Sequence, residues 1–202
     1  MEDRPLAGHE AAQPNAARKA MIDSQLRTSG VNADWVLRRM GAVERERFVP
    51  EPARGFAYID RAIALGNGRH LAAPVVQGLM LQEAKPLPGD KALLVDGGSG
   101  YLAELLRLLV GTLEVVSPEE AQSGSRKGGY TLLIVDGAVE QLPETLVKRL
   151  AEEARIVCGI VQGGVTRLAR GRKTAGSAAL LPLAEIGMPV LPEFSKPKAW
   201  TF

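Results

Sequence analysis

The amino-acid sequence predicts an α/β fold built on a parallel, doubly wound sheet. A short apolar run, residues 91–95, is followed at once by the glycine-rich turn 96–100 and then by a helical apolar pattern over residues 101–110. A buried strand, a glycine-rich turn and a helix, in that order, are typical of the first unit of such a sheet. Later apolar runs of strand length extend the same pattern toward the C-terminus.

The length and composition fit a single globular domain with a short extension. Among 202 residues, 25 basic and 23 acidic side chains leave a net charge of +2, too small to indicate a nucleic-acid or membrane surface. The single cysteine, Cys158, cannot form an internal disulfide, and His9 and His70 are too few for a usual zinc site. Because no run approaches the roughly 20 apolar residues of a membrane span, we expect a soluble, cytoplasmic protein without a metal.

Three regions are expected along the chain. Residues 1–14 lack periodicity and predict a flexible tail, residues 15–90 predict a helical N-terminal extension, and residues 91–202 predict the α/β domain, all within one compact unit. The apolar spacing predicts three helices in the extension, with an irregular stretch rich in proline and glycine before the third. They span Ala16–Thr28, Trp35–Val43 (capped by Asn32 or Asp34) and about Pro74–Glu83.

Beyond residue 110 the sequence predicts strands, one helix and a C-terminal β-hairpin. These are strands Leu113–Val116 and Tyr130–Val135, helix Leu142–Glu153, strand Ala154–Val161, and a hairpin of Val165–Arg170 with Ala178–Leu183 around Gly171-Arg172-Lys173. Cys158 lies within the apolar strand and is interpreted as a buried, reduced thiol.

Five segments carry motifs that recur together in one enzyme family. They are Met21–Arg27 with Gly30-Val31, Arg45-Glu46-Arg47-Phe48-Val49-Pro50, Ala57-Tyr58-Ile59-Asp60, Gly98-Ser99-Gly100-Tyr101 and Pro189–Phe202. In this order they resemble the N-terminal helix, the R-E-x-F-V-P and A-Y-x-D segments, the cofactor loop and the C-terminal strand of the protein-L-isoaspartate O-methyltransferases. The chain is therefore identified as a divergent member of that family over residues 18–202.

The resemblance implies a Rossmann-like class I methyltransferase sheet of seven strands preceded by helices. It also implies a reaction in which S-adenosylmethionine methylates the α-carboxylate of an isoaspartyl residue in a damaged protein. The expected cofactor is then S-adenosylmethionine, and the expected partners are isoaspartyl-containing proteins or peptides. The resemblance assigns no catalytic residue here. The residues expected to contact the cofactor are Asp96, Gly97, Gly98, Ser99, Gly100 and Ser117.

The cofactor motifs depart from the family pattern at three positions. The acid that precedes the family's glycines corresponds to Leu94, and the first glycine corresponds to Asp96. Asp96 either reaches the methionine amino group or caps the following helix. The acid that would hold the ribose hydroxyls corresponds to Ser117, which cannot offer two carboxylate oxygens. Glu119 and Glu120 follow, and we interpret them as solvated loop acids rather than as its replacement.

The connection after the second strand is too short for the family's structure. Only thirteen residues, Ser117–Gly129, stand where the family has a helix, a strand and a turn, and one parallel crossover alone needs about a dozen. We therefore expect this helix and the third strand to be missing, and one wall of the adenine pocket with them. The second strand then becomes a sheet edge that must be covered, charged or paired, and a homodimer through this edge is one expectation.

The segment Gly68–Pro74 stands where the family has G-Q-T-I-S-Q-P. His70 and Ala72 replace the hydroxyl-bearing threonine and serine, and Ala73 replaces the second glutamine. An alanine can neither orient a carboxylate nor accept a proton. Arg69, with His70, either holds an anionic substrate or faces solvent.

Three functions are compatible with these residues. The first is the family's methyl transfer, with cofactor binding and turnover impaired or lost. The second is a catalytically inactive methyltransferase-fold protein in a binding or structural role, since the changes fall on cofactor and substrate positions while the core patterns are intact. The third, ranked last, is an anionic-partner or nucleic-acid binder whose basic segments lack aromatic residues for base stacking. Its candidate residues are Arg126, Lys127, Arg167, Arg170, Arg172 and Lys173.

Overall fold

The computed structural model of the chain describes residues 16–123 and 127–196, so the predicted tail lies outside the described residues. Helix α1 (Ala16–Ala20) continues into a π-helical segment (Met21–Leu26) and a 3-10 turn (Arg27–Ser29), where the first helix was expected. Helix α2 (Asp34–Ala42) lies within one residue of the second prediction.

The predicted cap of α2 is wrong. The residue before the helix is Ala33, and no side chain of Asn32 or Asp34 caps the helix. Instead, the side-chain oxygen of Gln82 accepts hydrogen bonds from the N–H groups of Asn32 and Ala33, at 2.9 and 3.0 Å. A residue distant in sequence satisfies these donors, which a local capping pattern cannot reveal.

A hairpin occupies part of the stretch that was interpreted as irregular. Strands β1 (Ile63–Gly66) and β2 (Arg69–Leu71) pair antiparallel. Asn67 and Gly68 between them have φ angles of 50° and 73°, the two left-handed residues that a type I′ turn requires. Asn-Gly is itself a hairpin signal, so the irregular interpretation was wrong here. The hairpin leads into helix α3 (Pro74–Ala84), where the third helix was expected.

The remaining elements form one mixed sheet with short helices. In chain order they are β3 (Lys91–Val95), α4 (Tyr101–Leu106), β4 (Thr112–Val116), α5 (Pro118–Gln122), β5 (Tyr130–Val139), α6 (Glu144–Lys148), β6 (Leu150–Gln162), β7 (Val165–Thr174) and β8 (Ser177–Glu185). The strand order is β4-β3-β5-β6-β7-β8. The first four strands are parallel, and β7 and β8 continue the sheet antiparallel. The predicted α/β class is confirmed.

Strand β4 is the terminal strand of this sheet, next to β3 alone. The described residues between β4 and β5 contain the five-residue helix α5 and no strand. The expected loss of the third strand is therefore confirmed for the described part of the chain. The expected loss of the helix is wrong in part, because Ser117 starts a short helix there through a capping box with Glu120.

Two other boundaries differ from the prediction. Helix α6 ends at Lys148, and the residues from Leu150 onward belong to β6, where Leu150 pairs with Tyr130 of β5. The predicted helix over residues 142–153 is therefore too long, because the chain pairs with β5 at Leu150 and with both β5 and β7 from Arg155. Glu153, with φ of 61°, also lies outside helical conformation.

The C-terminal hairpin is present but turns later than expected. The turn is Ala175-Gly176, with φ angles of 51° and 79°, rather than residues 171–173. Gly171 lies within β7, where a Cβ atom would stand 2.0 Å from the carbonyl oxygen of Ala179. That glycine permits a close approach of two strands and does not form a turn.

The sheet separates two apolar clusters according to the alternation of its side chains. Leu94 and Ile134 face α2, α3 and α4, whereas Val95 and Val135 face the opposite side with α5 and α6. The N-terminal helices pack on the first face, so the extension and the sheet share one core. Cys158 is buried as expected, and burial raises the pKa of its thiol to about 12.

None of the described helices is long and apolar enough to cross a lipid bilayer.

A buried carboxylate holds the turn that precedes β3. Asp90 accepts hydrogen bonds from the Leu87 N–H at 2.7 Å and the Thr131 hydroxyl at 2.8 Å, and it pairs with the Arg155 guanidinium. Burial alone would raise the pKa of Asp90, but the hydrogen bonds from Arg155, Leu87 and Thr131 lower the pKa below its usual value. This one side chain therefore ties the start of β3 to β5 and β6.

We expect Asp90→Asn to lower the free energy of unfolding by about 2–3 kcal/mol at pH 7, because the change removes a charge-assisted pair in a nearly buried setting. The lowered pKa makes this contribution present above the unfolded-state pKa and lost as pH falls through the folded-state pKa. Urea unfolding at pH 7 and pH 3 measures both the loss in the free energy of unfolding and its dependence on pH. The control is Glu144→Gln, whose side chain is 83% exposed and should change stability by less than about 0.5 kcal/mol.

Candidate functional site

The candidate site lies at the carboxyl ends of β3, β4 and β5. Strand β3 has β4 on one side and β5 on the other, so the chain connections diverge at this point of the sheet. In open parallel sheets such a divergence forms the crevice in which ligands bind. The glycine-rich turn lies there, and Ser117 follows β4 directly, with the Asp96 N–H donating to the Val116 carbonyl at 2.9 Å. The fold thus brings the predicted cofactor residues to one edge.

The glycines of the turn have distinct structural reasons. Gly98 and Gly100 have φ angles of 108° and 72°, in the left-handed region that favours glycine. A Cβ atom at Gly97 would lie 2.5 Å from the carbonyl oxygen of Asp136, so only glycine allows the turn to pack against β5. The turn is held tightly against the sheet on the side of β5.

The carboxylate of Asp96 is directed into this turn. It accepts hydrogen bonds from the N–H of Gly98 at 2.9 Å and the N–H of Gly100 at 3.1 Å, just before α4 begins. Burial raises the pKa of Asp96, while these two amides and the charge of Arg69 act in the opposite direction. The residue that precedes α4 is Gly100, and no side chain caps the helix, so Asp96 holds amides of the loop instead of capping α4 as one interpretation expected.

The hydroxyls of the two candidate serines also have partners within the chain. The Ser99 hydroxyl accepts from the Tyr101 N–H at 3.1 Å. The Ser117 hydroxyl accepts from the Glu120 N–H at 3.2 Å, and the Glu120 carboxylate accepts from the Ser117 N–H at 2.8 Å. Glu120 is exposed to solvent, as expected, but it lies in helix α5 and caps that helix, which corrects the expectation that it lies in a loop.

A second carboxylate, Asp136 on β5, lies beside Asp96 and was missed in the sequence. Its side chain is buried and accepts a hydrogen bond from the Gln77 amide at 3.1 Å. The Gln77 side-chain oxygen accepts from the Arg45 guanidinium at 2.6 Å. Arg45 is completely buried, donates to two backbone carbonyls and stands 4.9 Å from the centre of the Tyr101 ring.

This buried polar chain sets the charge of Asp136. Burial and the neighbouring charge of Asp96 raise the pKa of Asp136 to about 7, although Gln77 and Arg45 favour its ionised form. The sequence contained a usable signal, because an aspartate directly follows each of the apolar runs that end at Val95 and Val135. In the sheet these two valines pair with each other. Two acids at the ends of adjacent parallel strands, both on the α3 side by alternation, are brought together by register alone.

The remaining predicted positions are placed as follows. Leu94 is buried in the core below α3, so no side chain there reaches the site. Ala72 and Ala73 are buried, and the Ala72 carbonyl accepts from Arg45. His70 is exposed on β2. Arg69 does not face solvent freely but pairs with the carboxylates of Glu119 and Glu193.

The basic side chains considered for an anionic partner are paired with acids. Arg167 pairs with Glu185, Arg170 with Glu83, Arg172 with Glu153, Lys173 with Glu152 and Lys127 with Glu114. Arg126 lies outside the described residues. Neutralising partners at each described position weaken the hypothesis of a nucleic-acid surface.

Comparison with known proteins gives a consistent result. Residues 16–128 match the model of a family described as protein-L-isoaspartate (D-aspartate) O-methyltransferase. A relative from Anaeromyxobacter sp. (strain Fw109-5), protein-L-isoaspartate O-methyltransferase 2, is 31% identical over 77% of this chain and 74% of its own length. A protein-L-isoaspartate O-methyltransferase from Gloeobacter violaceus is 33% identical over 68% of this chain and 79% of its own length.

A solved structure supports the fold. The crystal structure of a protein-L-isoaspartate O-methyltransferase from Plasmodium falciparum in complex with S-adenosyl-L-homocysteine superposes with a TM-score of 0.69. It covers 87% of this chain and 98% of its own, at 20% identity. At that identity the match establishes the shared fold.

We expect Asp136→Asn to stabilise the protein at neutral and higher pH. The raised pKa means that the folded state keeps a proton that the unfolded chain releases above about pH 4, so stability falls as pH rises from 4 to about 7. The asparagine variant removes that loss, on the order of 1.4 kcal/mol per pH unit over this window. Urea unfolding of both proteins from pH 4 to 8 measures the difference, which should vanish near pH 4. A constant difference across the range would contradict this charge assignment.

Proposed function

Because the chain belongs to the protein-L-isoaspartate O-methyltransferase family, we propose that it keeps the family fold while cofactor binding and methyl transfer to isoaspartyl carboxylates are impaired or lost. The position of the Asp96 carboxylate carries this proposal. It takes up the N–H groups of Gly98 and Gly100, which are the groups that a glycine-rich loop before a helix offers to a ligand.

The neighbouring positions support the same conclusion. S-adenosylmethionine is the cofactor implied by the family, and the Plasmodium falciparum relative was solved with its product, S-adenosylhomocysteine. The residues present do not fit that group. Ser117 offers one hydroxyl, already engaged by the Glu120 N–H, where a ribose requires acceptors for two hydroxyls. Beyond β4 the described chain supplies no further strand to close the adenine side.

The substrate side supports the proposal in a similar way. Ala72 and Ala73 carry no hydroxyl or amide that could orient a carboxylate, and both are buried. For any methyl transfer that the chain retains, the proposed partners are isoaspartyl-containing proteins or peptides and the proposed location is the cytoplasm.

A binding or structural role is the second candidate function. It is favoured by the way in which the polar groups at the carboxyl edge satisfy one another: Asp96 pairs with loop amides, and Asp136 with Gln77. A site built for turnover keeps some polar groups free for the reacting molecule. Here the described contacts use them to hold the fold.

The open edge of the sheet is the proposed surface for a second copy of the chain. Among the described residues, strand β4 has a neighbour on one side only, and Val115, its fourth residue, is 44% exposed. An unpaired parallel edge with an exposed apolar residue favours addition of another strand.

The wild-type protein should not bind S-adenosylhomocysteine at 1 mM in isothermal titration calorimetry, because the loop amides are already occupied. It should also transfer no labelled methyl group to an isoaspartyl peptide above the rate without protein. The Plasmodium falciparum relative serves as the positive control for binding. A dissociation constant below about 1 mM, or measurable transfer, would refute the loss of function.

Sedimentation velocity tests the proposed homodimer. The wild-type chain should sediment as a dimer at micromolar concentration, and Val115→Lys should shift it to the monomer, because a lysine on an edge strand discourages strand addition. Leu181→Lys, on the opposite edge of the sheet with 58% exposure, is the matched control and should leave the dimer intact. A monomeric wild type would exclude this partner.

A further inference from the structure

The side chain of Arg69 lies across the glycine-rich turn. A Cβ atom at Gly98 would stand 3.1 Å from both Cβ and Cγ of Arg69 and 3.4 Å from its Cδ. The aliphatic part of the arginine therefore packs against Gly98 of the turn. Arg69 comes from β2, which is far from the turn in sequence but adjacent in space.

The guanidinium of Arg69 is held by two carboxylates from other elements. Its Nη2 lies 2.8 Å from Oε1 of Glu193 and its Nη1 lies 3.3 Å from Oε2 of the same residue, a two-point contact. Its Nη2 also pairs with Glu119 of α5. Glu193 belongs to the 3-10 turn Pro192–Phe194, whose carbonyl at Glu193 accepts from the Gln122 side chain.

Burial distinguishes this pair from an ordinary surface ion pair. The Arg69 side chain is 20% exposed and the Glu193 side chain is 18% exposed. Burial alone would lower the pKa of Arg69, but the hydrogen bonds and charges of Glu193 and Glu119 raise the pKa above its usual value. A planar guanidinium matches a carboxylate at two points, and the pair joins β2, α5 and the C-terminal segment.

We propose that Arg69 is the built-in ligand of this cleft: its guanidinium is clamped by Glu193 and Glu119, and this clamp holds the aliphatic part of the side chain over Gly98 of the glycine-rich turn. The inference rests on the proposed function, since a cleft that bound a cofactor would have to expel this side chain. In enzymes a bound cofactor stabilises the walls of its site by mass action. Here an arginine of the same chain takes the stabilising role of a bound cofactor. The chemical group that Glu193 and Glu119 recognise is a guanidinium.

Chemical rescue tests the assignment. Arg69→Ala should lower the melting temperature by roughly 2–4 °C, the size expected for a largely buried ion pair in a domain of this length. Methylguanidinium at 20 mM should then raise the melting temperature of the variant by about 2 °C more than methylammonium or sodium at equal ionic strength. Arg69→Lys should recover only part of the loss, because an ammonium cannot make the planar two-point contact.

Arg170→Ala is the matched control, because Arg170 pairs with Glu83 on the surface, with its side chain 51% exposed. Methylguanidinium should not raise its melting temperature above the sodium reference. Equal effects of methylguanidinium on both alanine variants, or no loss of stability in Arg69→Ala, would overturn the inference. Arg69→Gln provides the same rescue test if the alanine variant does not fold. Calorimetry of the wild type with S-adenosylhomocysteine decides the proposed function independently of these results.

Discussion

Two aspartates that end adjacent parallel strands constrain the whole carboxyl edge of the sheet. Asp96 and Asp136 follow the paired residues Val95 and Val135, and alternation directs both side chains toward α3. Two ionised carboxylates cannot share a buried site without compensation. Each carboxylate has its own partners: loop amides donate hydrogen bonds to Asp96, whereas Gln77, which accepts from Arg45, donates to Asp136. Burial and the charge of Asp96 raise the pKa of Asp136 to about 7.

The same compensation is the physical basis of the proposed loss of cofactor binding in this cleft. An amide that stabilises Asp96 cannot at the same time hold a ligand, and a cap at Ser117 uses the hydroxyl that a ribose would need. The aliphatic part of Arg69 also packs against Gly98 of the turn. The family fold survives because its core depends on apolar alternation, which these polar changes leave untouched. The proposed loss of a ligand site is therefore compatible with retention of the fold.

Local signals predicted the existence of elements better than their ends. The glycine-rich turn, α3 and the strands around Leu94 and Cys158 followed from apolar pattern and turn chemistry. Helix α6 was predicted too long, because pairing of Leu150 with β5 overrides the local helical pattern. The hairpin turn was misplaced at Gly171, because a glycine that permits two strands to approach cannot be distinguished locally from one that turns the chain.

The sequence by itself determined the family, the α/β class and the short connection after β4. It also determined that Leu94 and Ser117 stand where the resemblance implies acids, and His70 and Ala72 where it implies hydroxyls. Those features depend on residue identity, order and spacing. Only the tertiary structure decided which side chains meet: Arg69 with Glu193, 124 positions apart, and Gln77 with Asp136. Such contacts depend on how β2, α3 and the C-terminal segment pack on the sheet. The pattern of residues along the chain does not show which distant residues lie close together after folding.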